Sequence, residues 1–164
     1  MFFGKVRIFL ILVIGLMLVL PVFAAEQTQG VKQIVMREGT VTSIKGVAML
    51  KKKGNLNWEE LKQGTMLSQG DRIKTSSGSE LELSLDGKEQ SALIKVRELS
   101  EIGFVTLAKD KLNDREKTLL ELASGEILIK AKKLQKGSDF EVKTPTSIVG
   151  VRGTVFSVRV RSLK

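Results

Sequence analysis

Residues 139–160 read DFEVKTPTSIVGVRGTVFSVRV, two β-type stretches arranged around two joints, Thr144-Pro145 and Arg152-Gly153-Thr154. Pro145 fixes its own φ, biases Thr144 toward an extended shape and offers no N–H to a ladder, so it marks a strand end or an edge. Gly150 and Gly153 bracket Val151-Arg152, and a bulge or sharp bend is expected at Gly153. On strict alternation Arg152, Thr154, Phe156, Val158 and Val160 share one face of the last strand. Val151, Gly153, Val155, Ser157, Arg159 and Arg161 share the other. The first face is the more apolar, which leaves two readings of Arg152. It is buried and paired, with Asp71, a glutamate or backbone carbonyls as partners, or a bulge turns it outward, where it recognises a partner.

Upstream, from Ile34 onward, the chain is a succession of short β-type runs broken by Gly, Asn, Asp and Ser. Residues 38–50 predict a hairpin turning at Lys45-Gly46. Residues 58–61 and 71–75 predict short strands. Leu81, Leu83 and Leu85 alternate with Glu80, Glu82 and Ser84, the pattern of a half-buried strand, and Asp86-Gly87 follows as a tight turn. Residues 119–131 predict a second hairpin turning at Ser124-Gly125, with Ile127, Ile129 and Ala131 on one side. Lys109 to Lys117 is dense in charge and predicts a mobile loop or a single helical turn. No segment carries a sustained 3.6-residue apolar stripe. The expected fold is therefore all-β, a single antiparallel β-sandwich or β-roll domain behind an N-terminal signal helix.

The compartment is written at the other end. Lys5 and Arg7 precede an apolar run from Ile8 to Leu20, and Val22-Phe23-Ala24 supplies small residues for a peptidase, so residues 1–24 are expected to be a signal peptide cleaved after Ala24. An uncleaved anchor is the alternative, because the run approaches the length of a membrane span. Residues 25–33 read as a linker and residues 34–164 as one domain. The chain has no Cys, hence neither disulfides nor a lipid-modified N-terminus. The formal charge of +9, lowered by two when Lys5 and Arg7 leave, favours anionic partners. Lys130, Lys132, Lys133 and Lys136, with Arg159 and Arg161, are the candidate contacts. Past the signal segment only Phe104, Phe140, Phe156 and Trp58 remain as aromatics, too few for a base-stacking platform, so nucleic acid is not an expected partner.

The series Phe140-x-Val142-x-Thr144-Pro145, then Val151-Arg152-Gly153-Thr154-x-Phe156-x-Val158, resembles the signature of the bacterial FecR domain. Trp58-x-x-Leu61-x-x-Gly64, Gly70-Asp71-x-Ile73-x-Thr75, Gly78-Ser79-x-Leu81-x-Leu83-x-Leu85-Asp86-Gly87 and Leu122-x-x-Gly125-x-Ile127 fit the same family. The resemblance implies a periplasmic or secreted β-module in which Thr144, Pro145, Val151, Arg152, Gly153, Thr154 and Phe156 are structural. Relatives named for iron-citrate signalling add a cytoplasmic segment that grips a sigma factor. Here the N-terminus reads as a signal peptide, so that role is not expected. Relatives often continue with more β-structure after the motif, so either this fold closes without it or a partner covers the last strand.

Catalysis is not expected. Without His or Cys, imidazole bases, thiolates and the usual zinc sites are excluded. Two carboxylates can run glycoside hydrolysis, and Glu80 with Glu82, Glu59 with Glu60, and Asp110 with Asp114 are the available pairs. Each reads more simply as a solvated surface. The expectation is a non-enzymatic exported interaction domain, with no cofactor or metal, acting in envelope sensing or signalling. Its partner is an envelope protein or an anionic envelope polymer, and it meets the membrane only through an uncleaved N-terminal segment. The alternatives are a basic wall- or polysaccharide-binding module and a membrane-anchored sensor.

Overall fold

The computed structural model describes residues 33–87, 90–151 and 155–161. The signal segment, the linker apart from Gln33, and the Arg152-Gly153-Thr154 joint lie outside them. Among the described residues no helix is long and apolar enough to cross a membrane. The elements are strands: β1 (Ile34–Met36), β2 (Gly39–Lys45), β3 (Ala48–Lys51), β4 (Glu59–Glu60), β5 (Met66–Leu67), β6 (Arg72–Thr75), β7 (Glu80–Leu85), β8 (Ala92–Val96), β9 (Glu101–Asp110), β10 (Arg115–Ala131), β11 (Asp139–Lys143), β12 (Ile148–Gly150) and β13 (Val155–Val160).

They form two layers of a curled sandwich. One runs β4-β3-β6-β9-β10-β11-β12, with β1 beside the far end of β9. The other runs β5-β2-β7-β8-β10-β13. Alternating residues point inward from both and fill the space between. Leu81, Leu83 and Leu85 meet Ile94, Val96, Ile127 and Ile129 from one layer, and Ile73, Ile102, Phe104, Leu107, Leu120 and Leu122 from the other, all fully buried. Each such side chain contributes about 1.5–3 kcal/mol. On the outer face of β7, Glu82 is exposed as the alternation requires, whereas Ser84 is buried, in register between Thr40 and Leu93.

β10 belongs to both layers. Its first half pairs with β9 and β11, its second with β8 and β13. Ser124-Gly125 is therefore not a hairpin turn but a corner inside one continuous strand. Gly125 has φ +85°, and a Cβ there would lie 2.5 Å from the Ser100 Cα. The Glu126 N–H, just past the corner, donates to Ser100 Oγ at 2.9 Å. The same device recurs at Lys45-Gly46. There too the expected hairpin is absent, since β2 pairs with β7 and β5 whereas β3 pairs with β6 and β4. Gly46 (φ +81°) lies against Ser79, and the Val47 N–H donates to Ser79 Oγ at 2.8 Å. Both corners carry the chain between layers, each over a buried serine.

Two further expectations are corrected. Residues 109–117 are neither a long loop nor a helical turn; they are the paired ends of β9 and β10, joined by residues 111–114. Asp110 faces Arg115 and Lys109 faces Glu116, so the charges that suggested a loop are cross-strand partners. And one pair in the sandwich, β10 with β11, is parallel. Parallel neighbours usually need a long crossover. Here residues 132–138 suffice, because the corner has brought the two ends of β10 to opposite layers at the same end of the sandwich. The Lys132 N–H donates to Ser91 O at 2.8 Å in one layer, and Ser138 Oγ accepts the Glu116 N–H at 2.9 Å in the other.

At that end a buried arginine staples the layers. Arg37, 6% exposed, donates from Nε to Asp86 Oδ1 at 2.9 Å, from Nη2 to Ser91 Oγ at 2.8 Å, and from Nη1 to Thr118 Oγ1 at 2.7 Å. Its Nη2 also pairs with Asp86 Oδ2 and Glu116. A second anchor is Asp71. It accepts from the N–H groups of Ser68 and Lys53 and from Lys52 Nζ, tying the loop after β3 to the start of β6. Burial pushes both carboxyls up. For Asp71 the Ser68 N–H, Lys52 and the Lys53 N–H outweigh burial; for Asp86, Arg37 and Ser91 do, and both carboxyls lie below the ordinary range.

A carboxyl with a lowered folded-state pKa adds stability above its unfolded value, about 4, and that stability is lost as pH falls through the folded value. The urea midpoint should therefore be nearly flat from about pH 7 to 5 and drop below about pH 4. Asp71→Asn and Asp86→Asn should each shallow the drop. A fall centred above pH 5 would show that these two groups do not govern acid stability.

Candidate functional site

β11, β12 and β13, the described strands of the 139–160 stretch, build the seam along one side of the sandwich. β11 buries Phe140 and Val142 beside the first half of β10. Thr144 then closes the turn to β12: its N–H donates to Ser147 O at 2.8 Å, and its Oγ1 accepts the Ser147 N–H at 3.0 Å. Pro145, whose ring supplies the turn with a fixed φ, sits where no ladder N–H is required, at a strand end as its chemistry demands. Val151 is buried, and its N–H donates to Phe140 O at 2.8 Å.

β13 takes the equivalent place beside the second half of β10 in the other layer. Val158 is buried and Phe156 and Val160 are half-buried, whereas Val155, Ser157 and Arg159 face out, as the alternation predicts. Phe156 meets Phe140 edge to face with ring centroids 6.2 Å apart, joining the two layers behind the seam. Arg152, Gly153 and Thr154 lie outside the described residues.

Between the β11–β12 turn and the end of β13 lies a cleft of roughly 580 Å³. Pro145, Thr146, Ser147 and Val149 form one wall; Ser157, Arg159 and Arg161 form the other, with Ser124 of the corner at its base. Among the described residues the lining holds hydroxyls, apolar groups and two guanidinium groups, and no carboxylate. Arg159 donates from Nε to Glu126 Oε2 at 2.9 Å, and Ser157 Oγ donates to Glu126 Oε1 at 2.9 Å. First Arg159, then Ser157, hold the Glu126 carboxyl below its ordinary range. Arg161 has no ion-pair partner among the described residues.

The cations singled out from the sequence fall into two groups. Arg159 and Arg161 stand by the cleft. Lys130, Lys132, Lys133 and Lys136 are exposed at the opposite end of the second half of β10 and in the link after it. No single face gathers all six. The Lys51-Lys52-Lys53 run is partly structural, with Lys52 Nζ held by Asp71 and by Met66 O.

The carboxylate pairs are held in place. Glu80 and Glu82 share Lys95 Nζ at 3.1 and 2.9 Å, and Glu80 also binds Arg97. Asp114 pairs with Lys109, and Asp110 accepts the Leu112 N–H and Asn113 Nδ2 in its turn. Glu59 and Glu60 are adjacent on a two-residue strand and exposed. Among the described residues no cluster of three or more His, Cys, Asp or Glu is placed to hold a metal. Sequence reasoning missed the Arg37 staple, and nothing local around Met36-Arg37-Glu38 announces it.

A family model described as FecR protein matches residues 71–164. No curated protein and no solved structure matches the chain. The matched stretch begins at the Asp71 anchor and takes in β6 to β13, including the seam and both walls of its cleft. β2 with β5 and β3 with β4 lie before it and complete one layer each.

Proposed function

Because the chain belongs to the FecR family, we propose that it is a stand-alone, non-enzymatic interaction module of the bacterial envelope, exported by residues 1–24 and serving in envelope sensing or signalling. The observation that carries this reading is the seam cleft. Its walls come from the strands that carry the family motif, its groups are those of a binding surface, and the Glu80–Glu82 pair is engaged elsewhere by Lys95 and Arg97. Donors and apolar patches without an acid–base pair can hold a ligand but cannot cleave one. The partner is an envelope protein.

The test uses the full chain produced in a bacterial cell. A photo-crosslinking residue at Thr146 should give a discrete adduct with one envelope protein, while the same residue at exposed Lys62, far along the chain on the β4–β5 link, should not. The recovered protein should have lost the mass of residues 1–24. Adducts no different from those at Lys62 would remove the docking reading. So would a salt-sensitive attachment to wall or lipopolysaccharide fractions in place of any protein adduct, which would favour the basic polymer-binding alternative.

A further inference from the structure

An edge strand presents unpaired N–H and C=O groups and templates another strand unless it is short, charged, kinked or covered. Most edges here are short. β4 and β5 have two residues each, β1 and β12 three. β13 has six, Val155–Val160, with neither lysine nor proline among them. Its register with β10 is unbroken from Gly125↔Val160 to Lys130↔Val155, so no bulge bends it away. Among the described residues no strand other than β10 pairs with it.

The surroundings of this edge suit an incoming strand. Side chains of an added strand alternate between the two faces of the sheet. Those on the inner face would lie next to Phe156 and Val160, which are only half-buried, and close to Val149 across the cleft. Those on the outer face would lie next to Ser157 and Arg159 and, at the end, Arg161. Arg159 shares one carboxylate, Glu126, with Ser157, and Arg161 has none among the described residues. With no acid in the cleft lining among the described residues and a formal charge of +9 on the full chain, +7 once residues 1–24 with Lys5 and Arg7 are removed, a second copy is a poor occupant and an acidic segment a good one.

We infer that β13 is a docking strand, which binds an extended segment of a partner protein by strand addition, the segment carrying carboxylates on its outward positions and apolar side chains on its inward ones. The inference rests on the docking reading above and adds the mode of binding and the chemistry of the partner.

Amide hydrogen exchange of the full chain tests it. The probe is a blocked peptide of alternating valine and glutamate, about seven residues long, compared with its valine–lysine counterpart and with a backbone N-methylated valine–glutamate form. The valine–glutamate peptide should slow exchange within 155–160 about tenfold, less at high salt, and the two controls should not. Arg161→Glu, outside the strand and exposed, should abolish most of the protection while leaving the urea midpoint unchanged. Unchanged exchange in β13 with the glutamate peptide overturns the inference, as does equal protection by the lysine or N-methylated form. Protection that rises with protein concentration in the absence of peptide also overturns it, in favour of self-association. If Thr146 still crosslinks to a protein in the cell while the peptide leaves β13 unaffected, the docking surface stands and strand addition falls.

Discussion

Gly125→Ala should destabilise the domain by about 3 kcal/mol or more, enough to consume much of the stability of a domain this size. Two effects add. Alanine at φ +85° carries the left-handed penalty, on the order of 1–2 kcal/mol. Its Cβ would also lie 2.1 Å from Ser100 Oγ and 2.5 Å from Ser100 Cα. The second obstacle is backbone, so no rotamer change relieves it, and Ser100→Gly in the same chain should recover little. Gly78→Ala is the matched control. It has φ +69° with open space around it, and should lose only about 1 kcal/mol. Urea midpoints of the two variants check the difference. Equal losses would mean that the corner is not closely packed on Ser100.

The second large effect is expected at Arg37. Arg37→Leu removes the guanidinium from a nearly buried Asp86, leaving it only the Ser91 hydroxyl among these partners, and leaves Glu116 and Thr118 without their common donor. Breaking a buried pair from one side typically costs about 3–5 kcal/mol, because the remaining charge stays desolvated. Arg37→Leu combined with Asp86→Asn should regain part of that loss, and the double-mutant cycle reads the coupling directly. Arg37→Lys keeps the charge but cannot reproduce the fork, so it should fall between. A cycle with no coupling would reduce the staple to ordinary packing.

How much of this was legible beforehand differs from element to element for physical reasons. The inward face of β7 was readable because Leu81, Leu83 and Leu85 each need the same environment, and period two admits one solution. The end of β11 was readable because proline excludes itself from a ladder. The two corners read as hairpins in the sequence for a single reason. A glycine with positive φ between alternating runs serves equally in a tight turn and in a bend of one continuous strand. What decides is whether partners arrive from elsewhere, here β8 and β13 for residues 125–131 and β6 for β3, and that is non-local information. Residues 109–117 did hold a usable signal. Lys109-Asp110 and Arg115-Glu116 are complementary when folded back on each other, but the same charge density equally suits a mobile loop or a helical turn. Of the site, the sequence identified the motif and its alternation. The cleft depends on β11 and β13 flanking the two halves of a bent β10, with the β11–β12 turn as one wall, and no local pattern encodes that.

The bent strand has a consequence for how the domain comes apart. Each layer is left incomplete without residues 115–131, so neither can persist as an autonomous half once the other is lost. Partial opening is confined to the rim, at β1, β4, β5, β12 and β13, where among the described residues a strand has one neighbour. Everything inward of that rim must dissolve as one cooperative unit, and the surface offered to a partner lies on the rim.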